Sequence, residues 1–205
     1  APIVVLVHQD VYLPPDWHVD LARAIDAATA FDPDWAVLAP FGMCAKTHAH
    51  LGDVWSTGIS ARVGQRVEGP TAVQSVDELL IVLRRSSGLR FDPALPRYHL
   101  YGTDLIQTAR AAGKGAYVVP MPVVHNDDFK ARLGSDFTES YRFIRTKWRS
   151  LLPLRTPVLW VTQAGAGLLK YRFRAWRGLA RRRASAGDTS VDPRIYSARC
   201  GWEKI

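Results

Sequence analysis

Apolar residues follow two patterns along this chain: unbroken runs, and stripes spaced three or four apart. Ile3-Val4-Val5-Leu6-Val7 is a run of mostly β-branched residues that ends abruptly in polar His8-Gln9-Asp10, which predicts a strand covered on both faces. After Pro14-Pro15, the residues Trp17, Leu21, Ile25 and Ala28 recur at spacings of four, four and three, which puts them on one face of a helix. Trp35 to Leu38 and Leu79 to Leu83 read as further strands, the second closed by Arg84-Arg85 and the turn-forming Ser86-Ser87-Gly88. The glycine-studded stretch from Gly52 to Gly69, which carries Val54-Trp55 and Val63, reads as loops or a small hairpin.

Thr103 to Ala112 favours a helix with Leu105, Ile106 and Ala109 turned inward and Gly113 to stop it. Ala116 to Val119 is another apolar strand, and Val123-Val124-His125 follows two prolines. Asp136 starts a helix with Glu139 in the capping-box position and a stripe of Phe137, Tyr141, Ile144 and Trp148; Pro153 marks its end. Strands separated by helices predict an α/β fold, a mixed but mainly parallel sheet flanked by helices. Ligands of such sheets sit outside the carboxyl ends of the strands, so the turn after Val7 is the first place to look for a site.

With 47% apolar and 22% charged residues, the 205-residue chain is a folded domain with an appendage rather than a disordered one. Its longest apolar runs fall far short of the roughly 20 residues that a membrane span needs, and its start lacks the marks of a secretory signal. Beginning on Ala rather than Met, the chain reads as a piece of something longer. Cys44 and Cys200 are too few for a disulfide scaffold and too far apart for a metal knuckle, which favours a reducing, cytoplasmic setting.

Charge divides the chain. Twelve of its 27 basic residues lie between Arg142 and Arg183 with no acid among them, leaving 15 against all 19 acids elsewhere. Residues 1–153 therefore form a mildly acidic body and residues 154–205 a basic helical tail. Leu168 to Arg183 is compatible with one helix carrying Leu168, Leu169, Trp176 and Leu179 near one side, the composition of a peripheral segment on an anionic membrane surface. The plainer reading is a solvated basic helix packed on the body. Arginines interleaved with Tyr171, Phe173 and Trp176 also suit single-stranded nucleic acid, but no recognition motif accompanies them, and nucleic acid is the weakest reading.

Several residues could carry chemistry. Asp10 closes a strand and can present a carboxylate to a hard divalent cation; the commoner role of such an Asp is in a turn. Asp104, in Tyr101-Gly102-Thr103-Asp104, falls in the first turn of a helix, where it serves as a general base or only steadies the helix. His125 ends a strand and can complete a metal site across the sheet. The His48-x-His50 pair lacks a third ligand and reads as loop. Ala164-Gly165-Ala166-Gly167 lacks the ending of a phosphate loop.

The joint order of His8-Gln9-Asp10-Val11, Asp77, Arg90-Phe91-Asp92, Tyr98-His99-Leu100-Tyr101-Gly102-Thr103-Asp104, His125 and Lys147-Trp148 over residues 1–153 resembles the family 2 glycosyltransferases, closest to their StrF-like branch. The resemblance implies a GT-A-like, Rossmann-like nucleotide-sugar fold. It also implies Asp10 and His125 as ligands of Mn²⁺ or Mg²⁺, and Asp104 as the base. His8, Gln9, Lys147 and Trp148 would then lie on the donor side, and Asp77 and Tyr101 near a carbohydrate or lipid-linked acceptor. His8 stands where the family's first metal-motif acid would be, and Ile144 where processive members have Gln, so polymerisation is not implied. The nucleotide-binding half that usually precedes the metal strand is not in these residues. The competing reading is a non-catalytic remnant of this fold that binds at an anionic surface.

Overall fold

The computed structural model describes residues 1–130 and 132–203. In chain order it contains β1 (Ile3–Val7), β2 (Val11–Tyr12), α1 (Trp17–Phe31), β3 (Trp35–Ala39), β4 (Phe41–Cys44), β5 (His50–Gly52), β6 (Val54–Ser56) and β7 (Ala61–Val63). There follow β8 (Thr71–Val76), β9 (Leu80–Arg84), α2 (Tyr101–Ala111), β10 (Gly115–Val118), β11 (Val123–His125) and α3 (Ser135–Lys147). The chain ends with β12 (Leu154–Arg155), β13 (Trp160–Val161), α4 (Ala166–Arg177), α5 (Leu179–Ala184) and α6 (Pro193–Arg199).

The fold is mixed α/β. Its main sheet has the order β1-β9-β3-β10-β8-β4-β5. Only β3 and β10 pair in parallel there, while every other neighbour pair is antiparallel. The expectation of a mainly parallel sheet is therefore corrected. A parallel pair needs a crossover connection, yet from β4 to β9 the chain adds strand after strand with no α-helix between them. A second sheet, β2-β11-β6-β7, contains the hairpin read from Val54-Trp55 and Val63.

Helices cover both faces of the main sheet. Trp17, Ala24 and Ala28 of α1 pack on Trp35, Leu38, Leu80 and Val82. On the other face Leu105, Ile106 and Ala109 of α2 meet Val37, Ile81 and Val118. Strand β1, expected to be covered on both sides, is an edge strand and only half-buried. The capping box at α3 does not form either: Gly134 is the N-cap, Asp136 accepts a hydrogen bond from His99, and Glu139 pairs with Arg97.

Residues 154–205 open with a ribbon rather than a helix, and a third core cluster crosses Pro153 by joining Phe137, Tyr141 and Ile144 to Leu154, Leu159, Val161 and Leu168. Side chains of the main sheet grip the ribbon's backbone. Gln74 Oε1 accepts from the Arg155 N–H at 3.0 Å, Ser75 Oγ donates to the Arg155 carbonyl at 2.7 Å, and His50 Nε2 donates to the Pro157 carbonyl at 3.0 Å. His48 meets the Trp160 ring edge-on at 5.1 Å. The His48/His50 pair is thus structural.

The single helix expected over 168–183 is broken at Gly178, and Leu168 is buried while Leu169 and Trp176 face outward. Beyond α5 the chain wraps the small sheet: Tyr196 stacks on Trp55 at 5.1 Å, and Tyr12 donates to Glu203 at 3.0 Å. No helix of the described residues is long and apolar enough to cross a membrane.

Gly167 seats α4 against β13, because a Cβ there would collide with the Trp160 carbonyl oxygen. Gly167→Ala should cost about 1–3 kcal/mol, the range typical of overpacking, seen as a lower midpoint in thermal unfolding. Gly69→Ala, at a position with open space around it, should leave the midpoint in place.

Candidate metal centre

Two short strands assemble the site. After β1 the chain turns through His8-Gln9-Asp10 into β2, and after β10 it passes Pro120 and Pro122 into β11. Strands β2 and β11 pair antiparallel with Val11 opposite His125, and the Asn126 N–H donates to the Asp10 carbonyl at 2.8 Å. Asp10, in the turn that enters β2, and His125, at the end of β11, therefore meet at the small sheet rather than across the carboxyl edge of the main sheet. His125 Nε2 lies 3.5 Å and His8 Nδ1 3.9 Å from Asp10 Oδ1.

His8, Asp10 and His125 offer ligand atoms within 4.8 Å of one another. Asp10 Oδ1 is buried and makes no hydrogen bond of good geometry, its imidazole neighbours His125 and His8 standing 3.5 and 3.9 Å away. A buried carboxylate oxygen without a well-placed donor is costly unless something else satisfies it, so these residues fit a cation. Two imidazoles and one carboxylate suit a first-row transition ion better than Mg²⁺, which prefers oxygen ligands. His8, read from sequence as a donor-side residue, thus joins the ligand cluster, with its Nε2 3.2 Å from the Tyr101 hydroxyl. Gln9 is exposed in the turn.

The His125 imidazole holds the Asp10 carboxyl below the usual carboxylate range, although burial opposes this. Burial likewise works against a charge on His125, but Asp10, Asp77 and Asp127 outweigh it and raise the pKa. Asp127 Oδ1 lies 3.9 Å from His125 Nδ1 while accepting from Ser56 Oγ at 2.8 Å and the Gly58 N–H at 3.1 Å. A carboxylate beside the far nitrogen of a histidine favours one ring orientation, here by charge across 3.9 Å rather than through a hydrogen bond. Sequence reasoning assigned Asp127 no role, although its His-x-Asp spacing on an extended strand end was the available signal. Beside His125 opens a cavity of about 510 Å³ whose walls include Asp77, Asp127, Lys130, Tyr171 and Arg182.

Asp104 occupies the first turn of α2, as expected, but it is held rather than presented. Its side chain is 4% exposed, with Lys147 Nζ at 2.8 Å from Oδ2 and Trp148 Nε1 at 2.7 Å from Oδ1. Lys147 also reaches Asp92 Oδ2 at 2.7 Å. Lys147 keeps a raised pKa against the cost of burial because both carboxylates face it, and Lys147 in turn lowers that of Asp92. Lys147 and Trp148, read as donor-side residues, are thus committed to Asp104. Asp104 is not among the residues lining the cavity beside His125. Tyr101 links the two clusters, because it touches His8 and begins the helix that carries Asp104.

No protein-family model matches the chain. A curated relative, "ATP synthase subunits region ORF 6" of Fuscovulum blasticum, is 29% identical over 147 residues that cover 68% of this chain. The chain spans 59% of that relative's length. The relative's name states no activity.

Glu78 accepts from the Gly102 N–H at 3.0 Å, and burial together with Asp77 pushes its pKa up from 4.5 to about 8. Between those values the unfolded chain ionises Glu78 while the folded one keeps it protonated. Stability therefore declines as pH rises through this window and levels off above it. Glu78→Gln keeps the acceptor and removes the titration. In melts between pH 4.5 and 8, its midpoint should gain on the wild type as pH rises; a constant gap would refute the assignment.

Proposed function

We propose that this chain carries the metal and acceptor side of an inverting glycosyltransferase of the GT-A type, which moves a sugar from a nucleoside diphosphate to an acceptor hydroxyl. The observation that carries the reading is the His8–Asp10–His125 cluster, with its poorly satisfied Asp10 oxygen, whose His125 lines a cavity large enough for a small ligand. The order of these residues with Asp77, Tyr101, Asp104 and Lys147-Trp148 along the chain supports the same family.

Asp10, His8 and His125 would hold the cation, and Asp127 would keep the His125 ring in place. A bound divalent ion supplies charge neutralisation for the departing diphosphate. Asp77, which accepts from the Leu79 N–H at 3.1 Å, presents its carboxylate to the cavity as a hydrogen-bond acceptor for sugar hydroxyls. Lys130 and Arg182 add positive charge to the same wall. Asp104 takes the proton of the attacking hydroxyl as that oxygen bonds to the anomeric carbon and the bond to phosphate breaks. A single displacement inverts the configuration. An ionised carboxylate has lone pairs left after two hydrogen bonds, so Asp104 can accept a third donor once Lys147 or Trp148 moves aside. The burial of Asp104 also favours the second reading, a non-catalytic remnant of this fold that binds at an anionic surface and keeps the cation site without turnover.

Calorimetric titration with Mn²⁺ tests the cluster. Asp127→Ala should weaken binding by about 10–100-fold, as loss of an orienting partner does, and Asp10→Ala should weaken it further. Equal affinity in Asp10→Ala and wild type would remove the basis of the proposal. Release of nucleoside diphosphate from a panel of nucleotide sugars tests the reaction. Asp104→Asn should lower turnover by roughly a hundredfold or more with Mn²⁺ affinity unchanged. Mn²⁺ binding by the wild type with no product release from any donor would support the binding module instead.

A further inference from the structure

Helix α4 has one face that the described residues leave uncovered. Leu168 and Ala175 are buried, and Tyr171 packs with them against the third core cluster. On the other side Leu169, Phe173 and Trp176 stand 67%, 56% and 71% exposed. Spacings of four and three put these three on one stripe. Arg172 flanks the stripe on one side, with Lys170 and Arg177 on the other, and Arg177 lies over the Phe173 ring at 5.6 Å. Arg181 and Arg183 of α5 are exposed beyond it. The chain has no acid from Phe143 to Gly187.

We propose that this stripe docks α4 flat on an anionic lipid bilayer, with Leu169, Phe173 and Trp176 entering the headgroup boundary and the surrounding cations meeting lipid phosphates and carboxylates. Large aromatic and leucine side chains ringed by Lys and Arg are the composition of an interfacial helix, and Trp prefers that boundary to either bulk phase. At twelve residues α4 lies on a membrane and does not cross one. Charge complementarity selects this occupant. A second copy joined through the same face would oppose two rings of cations with no acid between them. A stacked oligonucleotide would leave Leu169 without a partner, and Tyr171, the remaining aromatic of the helix, is turned inward.

The docking surface does not depend on the transferase reading. Tyr171 and Arg182 line the cavity beside His125, but Tyr171 is on the inward side of α4, so the stripe and the cavity are separate surfaces.

The test uses the full chain and vesicles of phosphatidylcholine with or without phosphatidylserine. The wild type should sediment with the anionic vesicles at low salt and not with the neutral ones. Leu169→Ser/Phe173→Ser/Trp176→Ser should lose that binding, because each side chain contributes roughly tenfold or more in partitioning. Its unfolding midpoint and Mn²⁺ affinity should stay unchanged, which separates this proposal from the metal site. Brominated lipid should quench the wild type more than Trp176→Phe, a readout that survives if the triple variant folds poorly. Several results would overturn the proposal. They are equal sedimentation of wild type and triple variant, no wild-type binding to anionic vesicles, or a stripe-dependent dimer or oligonucleotide complex without vesicle binding.

Discussion

The pairing of β2 with β11 spans two residue pairs, and the chemical possibilities of this protein depend on it. Each strand leaves the main sheet from a different place, and neither has the length to be stable alone. They are held because β11 also pairs with β6 in parallel and the C-terminal segment lies over them, with Tyr196 stacked on Trp55 and Asn126 donating to the Thr189 carbonyl at 3.0 Å. A slip of one residue would turn every side chain of β11 to the opposite face, taking His125 away from Asp10. The closeness of Asp10 and His125 is therefore a statement about register.

Charge inside the fold is handled in a second place by one cation between two carboxylates. Lys147 faces Asp92 and Asp104 together, while Trp148 takes the remaining oxygen of Asp104. Removing one partner of such a buried arrangement leaves an uncompensated charge, which is far costlier than the net worth of the pair. Asp104 is consequently tied to the end of α3 by both charge and shape. Any substrate that uses Asp104 must compete with those two side chains.

Much of this was legible in the chain. The unbroken runs at Ile3–Val7 and Leu79 to Leu83 correspond to strands β1 and β9, and the stripes at Trp17 to Ala28 and Phe137 to Trp148 mark helices. Asp10 and His125 could be read as partners because each closes an apolar run. Strand β8 could not be found this way: in Thr71-Ala72-Val73-Gln74-Ser75-Val76, Gln74 and Ser75 are buried polar residues whose partners lie some eighty positions away. Strand β4 was hidden by Gly42, which is needed because a Cβ there would press on the Ser75 carbonyl. Strand direction is a global property that local periodicity does not carry, and so the sheet was misjudged as mainly parallel. Asp92 gains its meaning only from Lys147, 55 positions away and brought near by the fold.

At Arg155 and Pro157 the ribbon after Pro153 is held through its backbone, while its Leu154, Leu159 and Val161 side chains enter the core. Gln74, Ser75 and His50 bond to main-chain groups of Arg155 and Pro157 rather than to their side chains. Such a socket is indifferent to which side chains pass through it but strict about how many residues do. Relatives of this chain should therefore tolerate wide substitution at the bonded positions 155 and 157 while admitting no insertion or deletion between them. At those two positions the socket constrains spacing rather than side-chain identity.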